Sequence, residues 1–248
     1  MNFPKLKELF HLLHTKGVKA VLLGGGEPLL RDDFGEILRE LKRYNFKIFL
    51  DTNGDLFFGS NDLITEYVDV LGLPVDFPDS SYRNEDNLKT VFKILGYYKG
   101  LKKRPIIRVG TVVTKDNSER LNEIGKLLKS YPVDIWKIYQ FVPQNYNAIK
   151  NRSSLEISQK EFDGATQRIR DIFSDNFKVV ISRREDMNRA YFFIASDEAV
   201  FVPIDDLNIC RQIKIGSVFD RNISEKWKKV VSEKHYINNA EATFNCRF

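Results

Sequence analysis

Cysteine is almost missing from this chain: 248 residues contain two, Cys210 and Cys246. That is too few for a disulfide framework, and neither has a neighbour at the spacing of a zinc knuckle or cluster motif. Each reads as an isolated thiol in a reducing compartment. Histidine is as scarce, with three residues. His11 and His14 share helical spacing, but no third ligand joins them, so they read as packing or surface residues. No apolar run approaches the ~18 residues of a membrane span, and the N-terminus has no basic-then-apolar signal pattern. The chain therefore reads as cytoplasmic, with no membrane partner. Gly-x-Ser-x-Gly and P-loop motifs are absent, which leaves hydrolase and NTPase readings unsupported. Neither charge sign dominates: 39 basic and 34 acidic residues give a net +5, interleaved along the helices. A nucleic-acid surface would gather its cations on one face, and Lys102-Lys103-Arg104 is the one tight cluster, in an expected loop. A nucleic-acid partner is not expected.

What the chain has is alternation. Leu6, Leu9, Phe10 and Leu13 form a helical stripe behind Pro4. Val18 to Leu23 reads as a buried strand, and Phe34, Ile37, Leu38 and Leu41 as the next helix. Lys47 to Leu50 and Val68 to Val75 follow as strands, then a helix over Leu88, Val91, Phe92 and Leu95. Ile106 to Val113 is a strongly β-branched strand. Ser118 opens a helix carrying Leu121, Ile124 and Leu128, and Val133 to Val142 is the fifth strand. Ser158-Gln159-Lys160-Glu161 is a capping box for a helix reaching about Phe173. Asp32-Asp33 reads as a helix N-cap and Asp205-Asp206 as a turn. Such strand–helix units force parallel pairing, in a doubly wound sheet or a barrel. Beyond Phe173 the pattern changes to short strands, Lys178 to Ser182 among them, and a helix around Trp227. The expected division is a barrel-like unit over residues 1–175 and a small appendage over 176–248.

Polar or glycine-rich residues follow each strand. Gly24-Gly25-Gly26-Glu27-Pro28 closes the first; three glycines leave the backbone free for positive φ and for close approach to a ligand. Glu27 adds two acceptor oxygens at the strand's carboxyl end, where α/β sheets place ligands. Asp51-Thr52-Asn53-Gly54, Pro74-Val75-Asp76, Thr111 to Asn117 and Gln140-Phe141-Val142-Pro143 close the others. The 144–157 segment reads as a long loop able to cover a ligand.

Gly24 to Pro28 followed by Thr52-Asn53-Gly54 resembles the radical S-adenosylmethionine (SAM) superfamily. Leu71 to Asp76, Val109 to Asn117 and Trp136 to Pro143 are similar to the later strands of that family, in the same order. Gly216 to Phe219 with Trp227 resembles the C-terminal segment of members with a SPASM or twitch extension. The resemblance implies an α/β fold: a partial (β/α)6 TIM-like barrel missing its first strand, with a small α+β appendage. It implies SAM as cofactor, bound by Gly24, Gly25, Gly26, Glu27 and Pro28 and by Thr52, Asn53 and Gly54. Asp76 and Asn117 would add ribose and methionine contacts, Thr111, Gln140, Phe141 and Val142 would also bind the cofactor, and Gln140 with the 144–157 loop would line the open side that holds the substrate. Glu27 would accept from the methionine amine. The implied activity is reductive cleavage of SAM to a 5′-deoxyadenosyl radical that abstracts hydrogen from an unidentified substrate, with flavodoxin or ferredoxin as electron donor.

The family's defining Cys-x-x-x-Cys-x-x-Cys loop does not occur in this sequence, so no metal ligand is assigned within it. A [4Fe-4S] cluster is expected only where such a loop is supplied. Three accounts stand: a start further upstream, a split enzyme completed by a partner, or a cluster-free module that binds SAM or a nucleotide without radical chemistry. The exposed parallel edge left by a lacking strand favours a missing piece.

Overall fold

The computed structural model describes residues 1–79, 85–144, 146–206 and 209–237. Helix α1 (Phe3–Thr15) opens with Asn2, whose side chain accepts from the Lys5 N–H at 3.1 Å. Strand β1 (Ala20–Leu23), α2 (Phe34–Arg43), β2 (Lys47–Asp51), α3 (Asn61–Tyr67), β3 (Val70–Pro74), α4 (Glu85–Tyr97) and β4 (Ile106–Val113) follow. Then come α5 (Leu121–Leu128), β5 (Ile135–Gln140), α6 (Tyr146–Lys150), α7 (Arg152–Leu155), α8 (Gln159–Phe173) and β6 (Lys178–Ser182). The remainder is α9 (Arg184–Met187), β7 (Phe193–Ile194), β8 (Ala199–Asp206), β9 (Ile209–Ser217) and α10 (Ile223–Val230).

Strands β1 to β6 form one parallel sheet in the order β1-β2-β3-β4-β5-β6, and β7-β8-β9 form a small antiparallel sheet. Every neighbour in the main sheet is also a sequence neighbour, so the winding direction never reverses. Right-handed crossovers then keep the helices on one face and curl the sheet around the other. A doubly wound sheet would reverse its order at a switch point, and this one does not. The fold is α/β, a partial TIM-like barrel with an appendage.

Alternation along each strand separates the two faces. Ile48, Leu50, Leu71, Leu73, Ile107, Val109, Val113, Trp136 and Ile138 belong to the core that packs against the helices. Trp136 is fully buried between the rings of Phe173 and Phe177, at centroid distances of 5.9 and 5.8 Å. The intervening residues line the concave face: Asp51, Gly72, Arg108, Gly110, Lys137, Tyr139 and Ser182, in registers that set Asp51 beside Gly72 and Gly72 beside Arg108. The strand expected as a buried run from Val18 to Leu23 is an edge strand instead, shorter, with Leu22 43% exposed on the concave side. It lies at the end of the sheet order, so one of its flanks carries no strand among the described residues.

The capping box forms as its spacing demands, with Ser158 and Glu161 satisfying each other's backbone N–H groups. Other expectations need correction. Lys178–Ser182, placed in the appendage on sequence, pairs in parallel with β5 and is the sixth strand of the barrel. Asp33 sits at the α2 N-cap but makes no cap bond, because both carboxylate oxygens accept from Arg31 at 2.7 Å. Asp205 and Asp206 end a strand rather than forming a turn, and Asp205 accepts two bonds from Arg184 at 2.9 and 2.7 Å. The 144–157 segment holds α6 and α7 rather than open loop. Cys246 lies outside the described residues. Cys210 is buried on β9, and burial pushes its thiol pKa up. Among the described residues no helix is long and apolar enough to cross a membrane.

Candidate functional site

Parallel strands deliver all their carboxyl ends to one rim, and the turns there are tied to each other. Gly25 holds the first turn at φ +84°, a conformation that favours glycine. Glu27 has extended backbone and caps a single 3₁₀ turn, Pro28–Leu30. Its Oε1 accepts from the Leu29 N–H at 3.1 Å and from Thr52 Oγ1 at 2.8 Å, and its Oε2 accepts from the Asn53 N–H at 2.8 Å. One carboxylate thus fastens the β1 turn to the β2 turn. Thr52 Oγ1 in turn accepts from the Gly54 N–H at 3.1 Å, and Asn87 donates to the Asn53 carbonyl at 2.9 Å. Gly54 takes φ +90°, and a Cβ there would lie 2.8 Å from Ile94 Cδ1.

The next turns follow the same plan. Asn117 is fully buried; its Oδ1 accepts from the Thr114 N–H at 2.8 Å, and its amide donates to the Asp76 and Val112 carbonyls at 2.8 and 2.9 Å. Asp76 accepts from the Val112 N–H at 2.8 Å. Thr111 faces the outer core, donating to the Val75 carbonyl at 2.6 Å and accepting from the Trp136 indole at 2.9 Å. Gln140 accepts from the Arg184 N–H at 3.0 Å and donates to the Ile157 carbonyl at 3.3 Å. Phe141 is buried, and its N–H bonds the Val113 carbonyl at 3.1 Å; Val142 is half-buried beside it. The sequence placed these side chains against a ligand. The fold spends most of them on one another: Asn117, Thr111 and Gln140 have their polar atoms engaged by protein, and Glu27 uses three of its roughly four acceptor positions. What stays open at the rim is backbone. Gly24, Gly25 and Gly26 are exposed, and a Cβ on Gly25 or Gly26 would meet nothing within 4 Å.

Below the rim lie charged residues that were not assigned a role on sequence. Arg108 is 4% exposed and Lys137 2% exposed on neighbouring strands, both facing the concave side. Arg108 donates to Asp51. Gly72 makes that possible, since a Cβ there would collide with the Asp51 carboxylate. Burial, reinforced by Arg108, pulls the Lys137 ammonium down to about 7. Its Nζ lies 4.9 Å over the Tyr139 ring. Burial raises the hydroxyl pKa values of Tyr139 and Tyr191, and Asp186 also acts on this cluster. A signal existed in the sequence: Arg108 and Lys137 interrupt β-rich strands at alternate positions, where a purely structural strand carries apolar residues.

The profile of the radical SAM superfamily matches residues 1–128. The chain belongs to the radical SAM superfamily. Among relatives of this radical SAM protein, a SAM-dependent nucleotide dehydratase of Selenomonas ruminantium is 27% identical over 218 residues, covering 78% of this chain and 73% of that protein. A probable GTP 3′,8-cyclase of Pyrococcus horikoshii is 25% identical over 218 residues, covering 82% of this chain and 65% of that protein. The crystal structure of Streptococcus suis SuiB bound to SAM superposes with a TM-score of 0.69 at 14% identity, over 98% of this chain and 61% of that one. That likeness concerns the fold.

Family membership brings two cofactors to be tried against these residues. SAM suits the rim, where an exposed glycine backbone stands open beside tied-down turns. The [4Fe-4S] cluster does not suit the residues present: it needs three thiolates, and the sequence has two cysteines. Among the described residues, no three His, Cys, Asp or Glu side chains gather to hold a metal ion.

Proposed function

We propose that this chain binds SAM at the rim of its partial barrel and holds an anionic, nucleotide-type substrate in the lumen below, as the larger part of a radical SAM enzyme. The observation that carries this reading is an open triglycine edge standing over two buried cations. Gly24, Gly25 and Gly26 let a ligand approach main-chain groups, with Thr52, Asn53 and Gly54 alongside. Glu27 sets the position of both turns. Asp76, Asn117, Thr111, Gln140, Phe141 and Val142 hold the remaining strand ends in place, so the rim is ordered before SAM arrives. SAM, once bound, supplies the adenosyl group on which the family's radical chemistry depends. Relatives named for nucleotide dehydration and GTP cyclisation support a nucleotide as the class of substrate. Arg108 and Lys137 suit a phosphate-bearing one.

The rim is tested by calorimetric titration of SAM into the wild-type chain and Gly26→Val. Gly26 has no positive φ and an open Cβ direction, so valine leaves the fold intact. The expected result is an unchanged melting temperature with SAM affinity weakened at least roughly tenfold, because the side chain fills ligand space. Equal affinity in the two proteins, or no uptake by the wild type, refutes the reading. The scarcity of cysteine favours a second reading, a cluster-free SAM-binding module. With two cysteines this chain cannot hold the cluster by itself, so the two are separated on protein purified anaerobically from its own cells, with whatever segment or partner supplies three thiolates. A brown protein with thiolate-to-iron absorption supports the enzyme, and a colourless one that still binds SAM supports the module.

A further inference from the structure

Arg108 and Asp51 are joined, yet solvent reaches them unequally. The Asp51 side chain is 44% exposed and that of Arg108 only 5%. The carboxylate therefore lies on the open side and caps the guanidinium, so that anything entering from the rim meets Asp51 first. Among the described residues, the one hydrogen-bond partner of the Arg108 guanidinium is Asp51. A group with five donors and a single partner is under-used for a site this deeply buried.

A second polar group of the lumen lies further along the strands. Ser182, on β6, pairs in register with Tyr139 and so faces the same concave side. It is 4% exposed, and its Oγ finds no hydrogen-bond partner. Buried hydroxyls are normally satisfied, and one left open on a lumen wall marks a place that an incoming polar group completes. Arg108 is in register with Ile135 and Lys178, so Ser182 stands four residues further along β6, beside Tyr139 rather than beside the guanidinium. The other titratable groups that bear on Arg108 and Lys137 are Asp51, Asp186, Tyr139 and Tyr191.

We propose that Asp51 is a displaceable counter-ion: its carboxylate occupies Arg108 until the anionic group of the substrate replaces it there. Asp51 then sets how tightly the lumen accepts an anion, discriminating between polyanions strong enough to displace it and weaker ones such as a single carboxylate. Gly72 is the structural condition for the device, since any side chain at that position would push the carboxylate off the guanidinium. The proposal rests on the reading of an anionic substrate in the lumen.

Inorganic triphosphate is the probe, titrated by calorimetry into wild type, Asp51→Asn, and Asp51→Asn combined with Arg108→Gln. Asparagine keeps an acceptor for Arg108 but removes the competing charge. Triphosphate should bind Asp51→Asn roughly tenfold more tightly than wild type, as expected for one like charge removed near an incoming anion. The gain should vanish in the double variant. Wild-type binding without tightening in Asp51→Asn overturns the counter-ion and leaves the lumen reading intact. Absence of triphosphate binding in every variant, with SAM uptake retained, overturns both. Should Asp51→Asn not fold, wild type decides alone. The NMR signals of the Asp51 carboxyl carbon and the Arg108 guanidinium nitrogens should move together on adding triphosphate, and an unmoved Asp51 signal refutes displacement.

Discussion

Replacing Glu27 by glutamine tests whether this carboxylate is scaffold or ligand. In the wild type one oxygen accepts from the Leu29 N–H and Thr52 Oγ1, and the other from the Asn53 N–H at 2.8 Å. Glutamine has one oxygen. If it keeps Leu29 and Thr52, the amide NH₂ faces the Asn53 N–H and two donors oppose each other. Flipped, it keeps Asn53, Thr52 Oγ1 turns to accept from the NH₂, and the Leu29 N–H is the one donor left opposed. One charge-assisted bond lost outright is worth about 1.5–3 kcal/mol, and the remaining bonds weaken to neutral strength. Together these give about 2–3 kcal/mol of destabilisation in the absence of any ligand. For a chain of this length each kcal/mol moves the melting temperature by roughly 2–4 °C, so a fall of roughly 4–12 °C is expected. Circular dichroism melts and urea midpoints of the SAM-free proteins measure it. If Glu27 instead served mainly as a ligand acceptor, Glu27→Gln would melt with wild type and lose SAM affinity alone. That result would refute the scaffold argument.

Two further outcomes follow from buried groups. Thr111→Val leaves the Trp136 indole N–H without its 2.9 Å acceptor in a fully buried site. A cost of about 1–3 kcal/mol should appear in the urea midpoint, with an altered tryptophan emission. Lys137→Met reports on the depressed ammonium. Its folded pKa of about 7 lies below the ordinary lysine value of 10.5, so between those values the unfolded chain holds a proton that the folded one has released. The lysine therefore disfavours folding most below about pH 7, and the penalty fades as pH rises toward 10.5. Lys137→Met should be more stable than wild type by a few kcal/mol at pH 6, with the difference shrinking by pH 9.5. A constant difference across that range would contradict the buried charge.

Periodicity and turn chemistry were legible because both are local. The β-branched run from Ile106 to Val113 is a strand over those same residues, and Ser158 with Glu161 caps α8 as spaced. Lys178–Ser182 was misplaced because a five-residue strand does not announce its partner; β5 accepts it in parallel only because α8 brings it back alongside. The rim motifs were found, but the direction of their side chains was not readable. An asparagine after a strand satisfies either a ligand or the neighbouring turn, and Asn117 is committed to Thr114, Asp76 and Val112.

The lumen was the larger omission, and its signal lay in residues that break a pattern. A glycine within a strand marks close approach of another group. Gly72 and Gly110 are two such positions, one facing the Asp51 carboxylate and the other 3.3 Å, by its Cβ direction, from the Tyr139 ring. Each stands beside a strand bearing a buried cation, Arg108 next to Gly72 and Lys137 next to Gly110. A strand that existed only to pack would gain by filling those gaps with valine. That it carries glycine opposite a charge, twice and on the same face, ties the spacing of the core to the polar contents of the barrel. The motifs at the rim shape its open edge, while the glycines below decide what can lie beneath it.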